Sequence, residues 1–203
     1  MANHITNRLT VSMGPGAEVI DLQKFAIRAA MLDPEHHRLQ AADAPAALQV
    51  PYRLSFWNFK RPDPAAMETY NDSSVGARDG WYNWNNRNWG TKWDAYDVHG
   101  TTCYVGKTQW LEYNFTTANG APVPVLEAMM EAFPNLTFKL QWQDEGGPGG
   151  EFQGADGIWH ETDRFRGASS HTEATERRRL VTCDCLATGG EIVPFPDCPV
   201  APE

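Results

Sequence analysis

The side chains able to do chemistry in this chain are few and scattered. In "WHETD", residues 159–163, His160, Glu161 and Asp163 offer an imidazole and two carboxylates, the groups that acid/base chemistry uses when burial pushes their pKa values apart. On an alternating strand His160 and Glu161 point to opposite faces, so a solvated edge strand accounts for them better. Cys183, Cys185, Cys198 and His171 are zinc-ligand types, but the C-x-C spacing is shorter than the usual C-x2-4-C and no second paired knuckle follows. Isolated thiols fit better, and neither a metal nor another cofactor is expected.

"HGTTCYVGKT", residues 99–108, ends like a phosphate loop. Five residues, not four, separate Gly100 from Gly106, and Lys107 leads into a strand-like run where a helix N-terminus should cradle phosphates. The glycines of "GGPGG" and "GADG" are followed by no helix and no lysine, which is the pattern of a turn. No G-x-S-x-G is present, and the Ser170–His171 neighbours in "SSHTE" lie in a polar stretch where triad geometry seldom forms. No catalytic residue is assigned, and a non-enzymatic protein is the leading expectation.

Charge narrows the partners. The chain has 203 residues and a net charge of −9. Residues 1–100 carry 10 basic and 11 acidic side chains, residues 101–203 carry 7 and 15. Such a surface repels polyanions and attracts basic ones. Asp144, Glu145, Glu151, Asp156, Glu161 and Asp163 are therefore the candidate partner-binding residues. The one basic run, "ERRRL" at 176–180, is too short for a nucleic-acid assignment and reads more simply as a solvated face. No stretch has the eighteen or so apolar residues of a membrane span. The start "MANHITNRLTV" lacks a basic and an apolar signal region, so a cytoplasmic protein with free thiols is expected.

The elements that must position these groups follow from periodicity. Ile5, Asn7, Leu9 and Val11 alternate as a strand. Val19, Leu22, Phe25, Ala26 and Ala29 recur at helical spacing between Glu18 and Leu32. An Ala/Pro-rich connection leads to a second strand in "YRLSFWNF", 52–59, and a polar helical stretch follows Pro62 and Pro64. "WDAYDV" alternates and pairs with "TQWLEYNFTT". Val125, Leu126, Met129, Met130 and Phe133 form a helical stripe before the strictly alternating Leu136, Phe138, Leu140 and Trp142. Two strand-helix-strand units, 4–59 and 109–143, predict an α+β fold, a ferredoxin-like βαββαβ sheet with helices on one face and a Trp-rich helical insertion. "DEGGPGGEFQGADG" reads as a glycine-rich turn region leading to a short strand near Ile158 and Trp159. The domain is expected to span residues 1–166, with 167–203 a largely irregular extension.

That insertion holds four of the eight tryptophans within residues 81–93. As a helix, 81–89 brings Trp81, Trp84 and Trp89 onto one side with Asn85 and Asn88, leaving Asn83, Asn86 and Arg87 opposite. Stacking of bases would need interleaved cations, and only Arg87 and Lys92 are near. An aromatic core is the better reading, with an interface hot spot as the alternative.

"WYNWNNRNWGTKWDAYDV" resembles the Trp-rich signature of the Api92-like, or YubB, family of phage and plasmid proteins, a domain of unknown function. Trp81, Trp84, Asn88, Trp89, Gly90, Trp93 and Asp94 carry the likeness, supported by "ITNRLTV", "YNFTTANGAPVPVLEAMMEAFPNLTFKL" and "EFQGADG". The chain departs from the pattern at His4 and Ile5 and in "NFKRPDP". The resemblance implies a ferredoxin-like domain encoded on mobile elements and no catalytic residues. It leads to the expectation of a protein-binding module in a host cell. Its partner would be a host complex with a basic surface, such as an anti-CRISPR target, whose groove the acidic surface occupies in place of nucleic acid. RNA or single-stranded DNA binding on an aromatic sheet face beside Arg53, Arg87 and Lys92 is the alternative, followed by an enzyme or zinc protein using His160, Glu161 and Asp163 or the tail cysteines.

Overall fold

A computed structural model describes residues 3–31, 54–70, 80–105, 108–155 and 158–166. Its strands are β1 (His4–Met13), β2 (Tyr96–Val105), β3 (Thr108–Ala118), β4 (Leu136–Asp144), β5 (Pro148–Ala155) and β6 (Ile158–Arg166). Its helices are α1 (Val19–Ala30), α2 (Pro64–Tyr70), α3 (Trp81–Asn88) and α4 (Val123–Ala132). The six strands form one sheet in the order β2-β3-β1-β4-β5-β6, every neighbouring pair antiparallel. β3 and β4 thus run the same way on either side of β1, joined by α4. This is a mixed α+β fold.

Alternation in the strands sets the two faces. Leu9 and Val11 of β1, Leu111, Tyr113 and Phe115 of β3, and Phe138 and Leu140 of β4 are buried beneath Leu22, Phe25 and Ala29 of α1 and Val125, Leu126, Met129 and Met130 of α4. Phe25 is the hub, with ring centroids 5.3 Å from Phe59 and Phe133, 5.6 Å from Phe138 and 6.1 Å from Tyr113. The other face is polar. There Arg8 meets Glu112 at 2.6 Å and Lys139 meets Glu151 at 3.0 Å, cross-strand pairs that neutralise one another at that face.

Three expectations about the strands are corrected. The segment expected as a strand over 52–59 is, within its described part, an extended Ser55 followed by a 3-10 turn at Phe56–Asn58. Its apolar residues Leu54, Phe56, Trp57 and Phe59 do not alternate, and the turn buries all four. The strand that completes the first crossover is β2, forty residues later in the chain, so the crossover contains the turn, α2 and α3. The glycine-rich stretch expected as a turn is instead mostly strand β5. Gly150 and Gly154 stand opposite Trp142 of β4 and Trp159 of β6, and an added Cβ on Gly154 would lie 2.9 Å from the Trp159 ring. The missing side chain there makes room for an indole. β6 is nine residues long, not a short strand.

Candidate functional site

The tryptophan signature folds as α3 plus the loop to β2, and its residues are spent on holding the crossover to the sheet. Trp89 ends α3 and is fully buried, Asn85 is buried, and Trp81, Trp84, Asn88 and Trp93 are half-buried. The expected aromatic face is therefore anchored on one indole. Trp89 donates its Nε1–H to the Lys60 carbonyl at 2.8 Å, and its ring lies edge-on to Phe56, Trp57 and Trp84 at 6.1, 6.4 and 5.6 Å. The bond ties α3 to the segment ahead of α2.

Polar residues of the same stretch make contacts that their types explain. The Asn85 amide donates to the Lys92 carbonyl at 2.9 Å and accepts from the Tyr70 hydroxyl at 3.1 Å, closing the loop onto α2. Asn88 donates back to the Trp84 carbonyl. Lys92 donates its backbone N–H to the Ala118 carbonyl at the end of β3, and its ammonium sits 4.4 Å from the Trp93 ring centroid. Asp94 is fully buried. Its carboxylate accepts from the Ser55 hydroxyl and from the Phe56 and Ala95 backbone N–H groups, each at 2.7 Å. Both sides of the crossover, the 3-10 turn and the start of β2, hang on that one side chain.

Gly90 completes the loop with φ +82°. A Cβ there would come within 2.7 Å of Pro124 Cδ and 2.8 Å of the Ala121 carbonyl. Gly90→Ala is expected to lower unfolding free energy by about 1–3 kcal/mol, from the left-handed backbone and the crowding against α4 together. A urea midpoint equal to that of the parent would contradict this.

The candidate binding acids are not gathered into one patch. Asp144 is taken up by structure, accepting from Asn3 and from the Gly146 N–H in the β4–β5 turn. Glu151 lies on the polar face of β5. Burial opposes its charge, but hydrogen bonds from Lys139 and Gln141, the Lys139 charge and a bond from Thr162 hold its carboxyl below the usual range. Glu161, on β6, pairs with Arg164 at 2.7 Å. It stands opposite Phe152 while His160 stands opposite Gln153, so the two project from opposite faces. Asp156, the Asp163 side chain, Arg53, and the tail from residue 167 with Cys183, Cys185, Cys198 and His171 lie outside the described residues. Among the described residues no three His, Cys, Asp or Glu side chains come together as a metal site, and no helix is long and apolar enough to cross a membrane.

A different acidic locus emerges at the end of the sheet where β1 and β2 begin. Asp97, with φ 51°, and Glu145 are exposed beside Tyr96. The Tyr96 hydroxyl meets His4 Nδ1, its ring stands edge-on to Trp93 at 6.4 Å, and burial followed by the charges of Asp97 and Glu145 pushes its pKa up to about 12. Neither acid is near the other in sequence, so only the strand pairing reveals the locus.

The buried phenols set an alkaline limit. An unfolded tyrosine ionises near pH 10. Tyr96 is held neutral until about 12, and burial shifts Tyr70 and Tyr113 in the same direction. Below pH 10 their contribution is fully present, and it is lost as pH rises through the folded pKa values. Thermal melts should show stability falling from about pH 10 upward, together with late ionisation of these phenols in ultraviolet titration. A melting temperature unchanged at about pH 11 would count against this burial.

Base stacking would use the polar face, where pairing places Trp110 opposite Ser12 and Tyr96 opposite Thr116, too far apart along β3 to form one row. The phosphate-loop candidate is part of the β2–β3 hairpin, with Val105 paired to Thr108. No family model and no curated protein matches the chain. Among solved structures, the chain is similar to protein api92 from Yersinia pseudotuberculosis, described with the family model DUF1281. The identity is 9%, the TM-score 0.49, and the match covers 84% of this chain and 99% of that one. At that level the likeness leaves fold and function to be argued from the chain itself.

Proposed function

We propose that this chain is a non-enzymatic protein-binding module that engages a basic surface of a host complex through the acidic end of its sheet. The observation that carries this is the exposure of Asp97 and Glu145, whose charges both act on Tyr96 although they come from strands far apart in sequence. The net charge of −9 supplies a long-range field of the same sign. In this reading β2-β3-β1-β4 is the ferredoxin-like βαββαβ unit, β5 and β6 extend it, and the resemblance of the signature to the Api92-like proteins of phages and plasmids supports a mobile-element origin. A host defence complex whose groove takes nucleic acid is then the partner class, acidic side chains standing in for phosphates.

The test is retention of host proteins from lysate by immobilised full-length chain. Asp97→Asn with Glu145→Gln removes both charges while keeping a residue that tolerates positive φ at position 97. The double variant should retain the partner about tenfold less well, and the parent should release it as salt rises. Equal retention by both proteins would sink the proposal.

A further inference from the structure

α1 is apolar on two opposite sides. Leu22, Phe25, Ala26 and Ala29 face the sheet, and Leu22, Phe25 and Ala29 are fully buried. Val19, Ile20, Ile27 and Met31 are 40%, 44%, 51% and 57% exposed, four of the five large apolar side chains exposed among the described residues. At 100° per residue Ile20, Ile27 and Met31 fall within about 40° of one another, and the centre of that stripe is roughly opposite the buried face. Helices whose outer face is solvated are polar there. A second stripe at this spacing is the pattern of a helix that meets another helix.

We infer that the stripe is covered by α1 of a second copy of this chain, packed antiparallel across a two-fold axis. Ile20, Lys24, Ile27 and Met31 are placed symmetrically about the point between residues 25 and 26. In an antiparallel copy Ile20 therefore meets Met31 of its partner copy, and the Lys24 stem lies on Ile27. The flanking charges complement each other in the same register. Asp21 and Arg28 lie on one flank of the stripe, roughly 80–100° from its centre; within the chain Asp21 accepts from the Glu18 N–H, and Arg28 donates its Nε–H to the Asn58 carbonyl with its guanidinium over Phe59 and Phe133, so their complementarity across the axis is one of charge. The two-fold axis brings Asp21 of each copy to within about 3 Å, along the helix axis, of Arg28 in the other. Helix dipoles oppose favourably in that arrangement. The Lys24 side chain is 63% exposed, so its ammonium reaches water while standing 4.0 Å from Asp21 of its own helix. The contact area of one helix pair is small, so the dimer is a weak, concentration-dependent one.

Sedimentation equilibrium of the full chain over a concentration series tests this. The mass should rise from 22.7 kDa toward twice that value. Ile27→Glu should hold the chain at monomer mass with unchanged circular dichroism and melting temperature, since that side chain is outside the core. Lys24→Leu, which widens the stripe, should shift the midpoint to lower concentration. A monomer at every concentration, which would leave the stripe to another segment or another protein, overturns the inference. So does a dimer that Ile27→Glu leaves intact.

Discussion

Asp94→Ala should destabilise the chain by about 3–5 kcal/mol, because it orphans three buried donors at once. The Ser55 hydroxyl and the Phe56 and Ala95 N–H groups all end on this carboxylate, and none of the three residues is accessible to water that could replace it. Asp94→Asn separates the two contributions. Its carbonyl oxygen can still accept from the two backbone groups, and the serine hydroxyl can turn to accept from the new amide. The cost should then fall to about 1–2 kcal/mol, the loss of charge assistance alone. Urea unfolding with a constant slope reads both, and equal midpoints for Asp94→Ala and the parent would mean that the crossover does not depend on this residue.

Trp89→Ala should cost a similar amount, about 3–5 kcal/mol, as for other large buried aromatics. The cavity would open between Phe56, Trp57 and Trp84, whose rings presently close around the indole. Trp89→Phe fills part of that space but leaves the Lys60 carbonyl without its donor, and about 1–2 kcal/mol is expected. The same ordering should appear in thermal melts. A smaller loss for alanine than for phenylalanine would show that the hydrogen bond and the packing have been assigned the wrong weights.

What the sequence made legible was whatever repeats locally. The stripe from Val125 to Phe133 and the alternation from Leu136 to Leu140 predict α4 and β4 directly, because one buried face dictates one period. Two features escaped for the opposite reason. The 54–59 segment has apolar residues at both parities, and its turn is imposed by Asp94, a residue nearly forty positions later. β5 is too glycine-rich to show alternation, and it is a strand because Trp142 and Trp159 lie across from its bare positions. The site shows the same division. The signature residues could be picked out by type, but the locus around Tyr96 depends on β2 beginning and β4 ending at the same end of the sheet. The helical wheel also overstated the burial of Trp84, which is half-buried while Asn85 and Trp89 turn fully inward.

The central claim is that the tryptophan signature is architecture, with Trp89 as its anchor. Hydrogen exchange of the indole N–H groups, followed by nuclear magnetic resonance of the full chain in deuterated water, tests it most directly. The Trp89 indole proton should persist as long as the backbone amides of Leu9 and Leu140 in the centre of the sheet. Its loss on the timescale of solvent-exposed side chains, while those amides remain protected, would show a crossover that opens independently of the sheet and would contradict the account.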